Sequence, residues 1–302
     1  MIYTIVALLA VDFLQGALAA TWGYDDKHGP ATWPGTCKTG TRQSPIDIRA
    51  ADVDFTLMPT LHFIGYDHAG DVEVANNGHS VVVSGFEKWT NVPMVTGGQL
   101  KTRYKLVQFH FHWSNVLTKG SEHTLSGLSY PAELHLVHVR EGLSLHDALK
   151  EGDGLAVIGV FFGVGNAPEP LSLLAGHFTR VLRPGNMSTL DRFRPRNVLP
   201  EQTNAFYKYD GSLTTPGCDE AVQWYVLAEP VSITLPQLDA LRFVENSLGQ
   251  AHASNYRPVQ ALNGRRVLFR PAQQDKERIC SGAVEVVTAL LLLMPPLLLG
   301  LE

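Results

Sequence analysis

Short apolar runs of strand length recur from about residue 21 to residue 282, bounded by Gly, Pro, Asn or Asp. The clearest are 80–84, 106–113, 134–139, 155–160 and 222–227, rich in β-branched and aromatic residues. Apolar character over this length, alternating or continuous, predicts strands. Helical spacing is sparse and predicts helices only over 144–150, 168–178 and 236–247. The last opens on Pro236 after Thr234, a helix-start signal. No repeat, low-complexity tract or dividing linker interrupts the body. The expected fold is mainly β with a few short helices, in a single domain.

The two ends follow another pattern. Residues 2–18 are apolar apart from Asp12, Gln15 and a few small residues, and close on Ala17-Leu18-Ala19, a small-x-small cleavage pattern. This predicts a signal peptide over 1–19, although no Lys or Arg precedes the apolar stretch. At the other end, Leu dominates residues 284–301, whose longest apolar run, 289–299, contains Pro295-Pro296. A helical span needs about 20 apolar residues, and adjacent prolines break its hydrogen bonding. Ser281-Gly282-Ala283 stand just upstream, so the expected boundary is a domain over 20–281, with Ser281 as attachment residue. Residues 282–302 then form a glycosylphosphatidylinositol (GPI) signal that is removed; a single transmembrane tail is the alternative.

Composition sharpens the picture. The chain has 302 residues, with 24 Lys+Arg against 29 Asp+Glu and 18% charged residues. Disordered chains are richer in charge, and nucleic-acid binding calls for a basic surface, so neither fits. The mean hydropathy of zero belongs to the apolar ends, leaving a more polar body. Export places the cysteines in an oxidising compartment. Cys37, in a Gly/Thr/Pro-rich loop, is expected to pair with Cys218; Cys280 is left over beside the attachment site. Asn186-Met187-Ser188 is a glycosylation sequon.

The candidate chemistry lies on two of the expected strands. A period of two puts Gln108, His110 and His112 on one face and Phe109, Phe111 and Trp113 on the other. Glu133, His135 and Val137 likewise share a face, opposite Leu134, Leu136 and His138. If these strands are neighbours, His135 completes a three-nitrogen site with an open fourth position, the arrangement of catalytic zinc. Gln108 and Glu133 stand where they could take the second ring N–H of a ligand and fix its tautomer.

With these residues in view, the chain resembles the α-class carbonic anhydrases, in the form of their extracellular, GPI-anchored members. The resemblance rests on Gln43-Ser44-Pro45-Ile46-Asp47-Ile48, Asn76-Asn77-Gly78-His79, the segments 108–113 and 133–138, and Ser212-Leu213-Thr214-Thr215-Pro216. Trp22-Gly23-Tyr24 and Asn255-Tyr256-Arg257-Pro258-Val259-Gln260 add to it. It implies a large, twisted, mostly antiparallel sheet with a conical zinc cleft. It implies reversible hydration of carbon dioxide to bicarbonate and a proton at the outer cell surface, by attack of zinc hydroxide. His110, His112 and His135 match the zinc ligands, and Gln108 and Glu133 their outer partners. Thr214 matches the hydroxyl that orients the hydroxide while donating to Glu122. Val137, Val157, Leu213, Thr215 and Trp224 match the substrate pocket, and His79 the proton shuttle, with Tyr24, Asn77 and Thr215 ordering water.

Implied partners are carbon dioxide and bicarbonate, the membrane through a lipid anchor, and bicarbonate transporters. Two departures stand out: Gly217 replaces a second proline after Thr214-Thr215-Pro216, and a second N-terminal cysteine pair is missing. Two other readings compete. An inactive binding ectodomain of this type usually lacks a zinc histidine, and a closed structural zinc site needs a fourth ligand.

Overall fold

The computed structural model describes residues 22–166 and 169–272. The expected signal peptide, Cys280, Ser281 and the apolar tail lie outside the described residues.

Alternation along the chain becomes strands in the order β1 (Asp47–Ile48), β2 (Val53–Phe55), β3 (Leu61–Ile64), β4 (Gly70–Asn76) and β5 (Val81–Ser84). There follow β6 (Met94–Gly97), β7 (Tyr104–Trp113), β8 (Thr124–Leu125), β9 (Ala132–Arg140) and β10 (Leu155–Val164). The last are β11 (Met187–Phe193), β12 (Phe206–Gly211), β13 (Val222–Leu227), β14 (Val231–Ile233) and β15 (Val267–Arg270), and the short helices are α1 (Thr36–Thr39), α2 (Leu145–Ala148), α3 (Glu169–Phe178) and α4 (Leu235–Arg242). Thirteen of these form one sheet, whose main path runs β11-β4-β5-β7-β9-β10-β13-β12-β15-β2. Most pairs are antiparallel; β10 runs parallel to β13 and β14, and β15 to β2. The longest strands, β7, β9 and β10, lie in the middle and run one or more residues past the ends that periodicity alone marks.

Both faces of this central region are buried, which is why β10 and β13 read as nearly continuous apolar runs. One face carries Phe109, Phe111, Trp113, Leu134 and Leu136 into the main core, against α3 (Glu169–Phe178) and α4 (Leu235–Arg242). The other face holds Val137, Val157 and Trp224. His138, predicted on the core side, is buried there and satisfied by Tyr66 Oη at 2.5 Å and the Ala156 carbonyl at 3.1 Å.

The helices are shorter than the spacing predicts. Thr234 and Gln237 form a capping box that starts α4, but the helix stops at Arg242 rather than at residue 247. The next amides bond elsewhere: Glu245 N–H to the Leu182 carbonyl and Ser247 N–H to that of Gly78. The predicted 144–150 helix is one turn, Leu145–Ala148, capped by the Ser144 hydroxyl. The described part of 168–178 is helical from Glu169 to Phe178.

The structure joins Cys37 to Cys218 across 181 positions. The bridge packs with Trp33, and Arg257 bonds the Cys37 carbonyl, linking the N-terminal segment to the late loops. A disulfide fits an oxidising compartment. Among the described residues no helix is long and apolar enough to cross a membrane.

Candidate metal centre

Strands β7 and β9 are antiparallel neighbours, and their register sets His110 directly across from His135 and His112 across from Glu133. A register shift between Leu106 and Gln108 precedes this stretch, so the two alternations meet in phase on the cleft face. The rings of His110, His112 and His135 lie with centroids 4.5 to 5.5 Å apart. One nitrogen from each falls within 4.8 Å of the others.

Each imidazole has one nitrogen engaged. His110 Nδ1 donates to Gln108 Oε1 at 2.9 Å, and His112 Nδ1 to the Asn255 carbonyl at 2.8 Å. His135 Nε2 donates to Glu133 Oε1 at 2.9 Å. The remaining lone pairs converge, and His112 Nε2 is buried with no partner. An orphaned buried nitrogen aimed at two others is suited to hold a cation. A second group, His123, Glu133 and His135, is also compact, but its atoms already bond one another. The first group therefore fits a metal and the second does not. Burial pushes all three imidazoles down, His110 to about 3, which keeps them neutral and able to ligate.

Glu122 lies beneath the triad, fully buried. Burial pushes its carboxyl well up, opposed by the Arg257 N–H on Oε1 at 2.7 Å and by the Thr214 hydroxyl. Its Oε2 makes no close hydrogen bond and lies 3.7 Å from His135 Nδ1. Glu133 is the opposite case. Burial works against its charge, but His123 and His135 outweigh it and hold the carboxyl well below the usual range.

Above the triad the cleft is lined by Val137, Val157, Leu213, Thr214, Thr215 and Trp224, a mostly apolar wall. His79, Tyr24 and Asn77 are not part of that lining. The His79 ring stacks on Trp22 with centroids 3.6 Å apart, and burial, with His252 nearby, pushes it down to about 4. Asn77 Oδ1 accepts the amides of His79 and Ser80, so it shapes the turn. Burial and the Glu122 charge push the Tyr24 phenol well up. Asn186 lies in an exposed turn before β11, where Ser188 bonds His177. Three participants carry no local signal in the sequence: the Asn255 carbonyl, the Arg257 amide and His123. Asn255 and Arg257 sit inside a motif segment, but their partners are more than a hundred positions away.

The fold and this centre define a class: a β-sheet enzyme built around three imidazoles and an apolar cleft. The family model for eukaryotic-type carbonic anhydrase matches residues 28–271. Similar proteins include "Putative carbonic anhydrase 5" of Caenorhabditis elegans, 49% identical over 281 residues, which cover 92% of this chain and 91% of that protein. "Putative carbonic anhydrase 3" of the same organism is 39% identical over 250 residues, 82% and 96% of the two chains. The chain belongs to the eukaryotic-type, α-class carbonic anhydrase family and is an enzyme of that family, which is in general zinc-dependent.

Proposed function

We propose that the protein hydrates carbon dioxide reversibly to bicarbonate and a proton, with zinc held by His110, His112 and His135, at the outer face of the cell. The observation that carries this is the convergence of three neutral nitrogens whose ring partners are all satisfied. Zinc on three imidazoles supplies a water acidic near neutral pH, carbonic anhydrase itself being the type case. This chain's residues do the rest. Gln108, the Asn255 carbonyl and Glu133 fix which nitrogen each ring presents. Glu122, anchored by Arg257, accepts a hydrogen bond from the Thr214 hydroxyl, leaving the Thr214 oxygen to accept one in turn and orient the nucleophile. Val137, Val157, Leu213 and Trp224 give carbon dioxide an apolar seat, with Thr215 at its side. The purified protein is expected to hold one zinc and to lose stopped-flow hydration on chelation, regaining it with zinc. Activity that survives complete chelation sinks the reading.

His79 carries the proton outward in this proposal, after its ring leaves Trp22. Stacked and buried it sits near 4, too low to take a proton at neutral pH. Released to solvent it rises toward the ordinary imidazole range near 6.5. A His79→Ala variant is expected to turn over about tenfold or more slowly in weak buffer, with recovery on adding free imidazole. Full turnover without imidazole removes the assignment.

The ends complete the proposal: signal peptide 1–19, domain 20–281 and lipid attachment at Ser281, with carbohydrate on Asn186. The Cys37–Cys218 bridge and the sequon support a secreted route. Phosphatidylinositol-specific phospholipase C is expected to release the protein from intact cells; retention favours a transmembrane tail. A surface enzyme that makes and consumes bicarbonate suits bicarbonate transporters as neighbours.

A further inference from the structure

Beyond His135 a chain of buried polar groups runs from Glu133 on β9, through His123 ahead of β8, to Tyr209 on β12 and Ser44 ahead of β1. His135 Nε2 and His123 Nδ1 both bond the same oxygen of Glu133, at 2.9 and 2.7 Å. The other oxygen accepts the amides of Glu122 and His123, at 2.9 and 2.8 Å. His123 Nε2 continues to the Tyr209 hydroxyl at 2.7 Å, which lies 2.9 Å from Ser44 Oγ. Ser44 Oγ in turn accepts the Ser212 amide at 3.0 Å, two residues before Thr214. His123, Glu133 and Ser44 have no exposed surface, and Tyr209 has 2%.

Two glycines make room for this chain. A methyl group on Gly159, the residue across from His135 on β10, would meet Glu133 Oε1 at 3.0 Å. One on Gly211 would meet Ser44 Oγ at 2.2 Å and the Tyr209 ring at 2.8 Å. Buried polar networks are costly unless every member is satisfied, and satisfied ones rigidify what they touch. Here the end of the network is a candidate metal ligand. A ligating imidazole is oriented by the group on its second nitrogen, and that group needs orienting in its turn.

We propose that Tyr209 and His123 are positioning residues for metal retention: through Glu133 they hold the His135 ring in its ligating orientation, and so set how slowly zinc leaves. The proposal rests on the three-histidine zinc reading above. Tyr209 and His123 touch neither substrate nor metal and act only through Glu133.

The test uses the full-length holoenzyme and follows zinc release to a chelating dye, alongside calorimetric melting and the visible spectrum of the cobalt-substituted protein. Tyr209→Phe keeps the ring stacked against Trp224 and removes only the hydroxyl. It is expected to speed zinc release several-fold, and His123→Leu, which loses both bonds, about 10-fold or more, with shifted cobalt bands. His123→Asn, whose amide nitrogen stands where Nδ1 bonds Glu133, is expected to recover part of the loss. A merely structural role would lower the melting temperature and leave the release rate and cobalt spectrum of the folded protein alone. If His123→Leu fails to fold, Tyr209→Phe decides. Wild-type protein that holds zinc while Tyr209→Phe releases it at the same rate overturns the relay alone. Wild-type protein that holds no zinc overturns the relay and the zinc reading together.

Discussion

Replacing His135 by alanine is expected to remove bound zinc and carbon dioxide hydration together. His135 is the one ligand contributed by β9, and without it only the i, i+2 pair on β7 remains. Zinc bound by a full protein ligand set is worth roughly 10–16 kcal/mol, so each ligand carries several kcal/mol. Affinity should fall by about a thousandfold or more, leaving the variant metal-free after dialysis. The backbone has little cause to change, because His135 lies in a nine-residue strand paired on both sides. Glu133 also keeps His123 and two amides as partners. Zinc content and stopped-flow rate, with circular dichroism as the folding control, check this. A folded variant with one zinc and near-normal turnover would move the metal away from this cluster.

The second large effect concerns stability. Removing the bridge in a Cys37→Ser/Cys218→Ser double variant frees a loop of 181 positions in the unfolded chain. The chain-entropy model puts the loss at about 5 kcal/mol. For a domain of this size that lowers the melting temperature by roughly 10–20 °C. The native state is touched as well. The Cys218 amide bonds the Thr215 carbonyl, and Gln43 bonds the Cys218 carbonyl, so the segment carrying Thr214 loses its nearest tether. Calorimetry of the two proteins side by side checks the figure. A shift of only a few degrees would mean that the reduced chain stays compact without the bridge.

Much of the centre is legible in the sequence because a strand's side chains alternate with a period of two. That rule alone sorts Gln108, His110 and His112 from Phe109, Phe111 and Trp113, and Glu133 and His135 from His138. It does not say that β7 and β9 are neighbours, nor set their register; the pairing of His110 with His135 is a property of the assembled sheet. The Asn255 carbonyl shows why other parts stay hidden. Any residue offers a backbone oxygen, so its bond to His112 leaves no trace in residue identity. His123 is hidden for another reason: it sits just before the two-residue strand β8, with no alternation to assign it a face. Residues 243–247 have a helix-compatible pattern, but the Glu245 and Ser247 amides find partners on the Leu182 and Gly78 carbonyls, which no local pattern reveals.

The placement of the three histidines on interior strands, rather than on loops, has a consequence for how the molecule fluctuates. Local opening begins where backbone bonds are few and exposed, at strand ends, termini and surface turns. Strands β7, β9 and β10 are interior to the sheet, with β5 and β13 covering their outer edges, so fraying at β11 or β2 stops well short of the histidines. The ligand frame comes apart only when the whole sheet does. A metal ion held by the three histidines would therefore have to enter and leave through the cleft mouth of an intact protein, its residence time set by ligand chemistry and the path past Leu213 and Trp224 rather than by breathing of the fold.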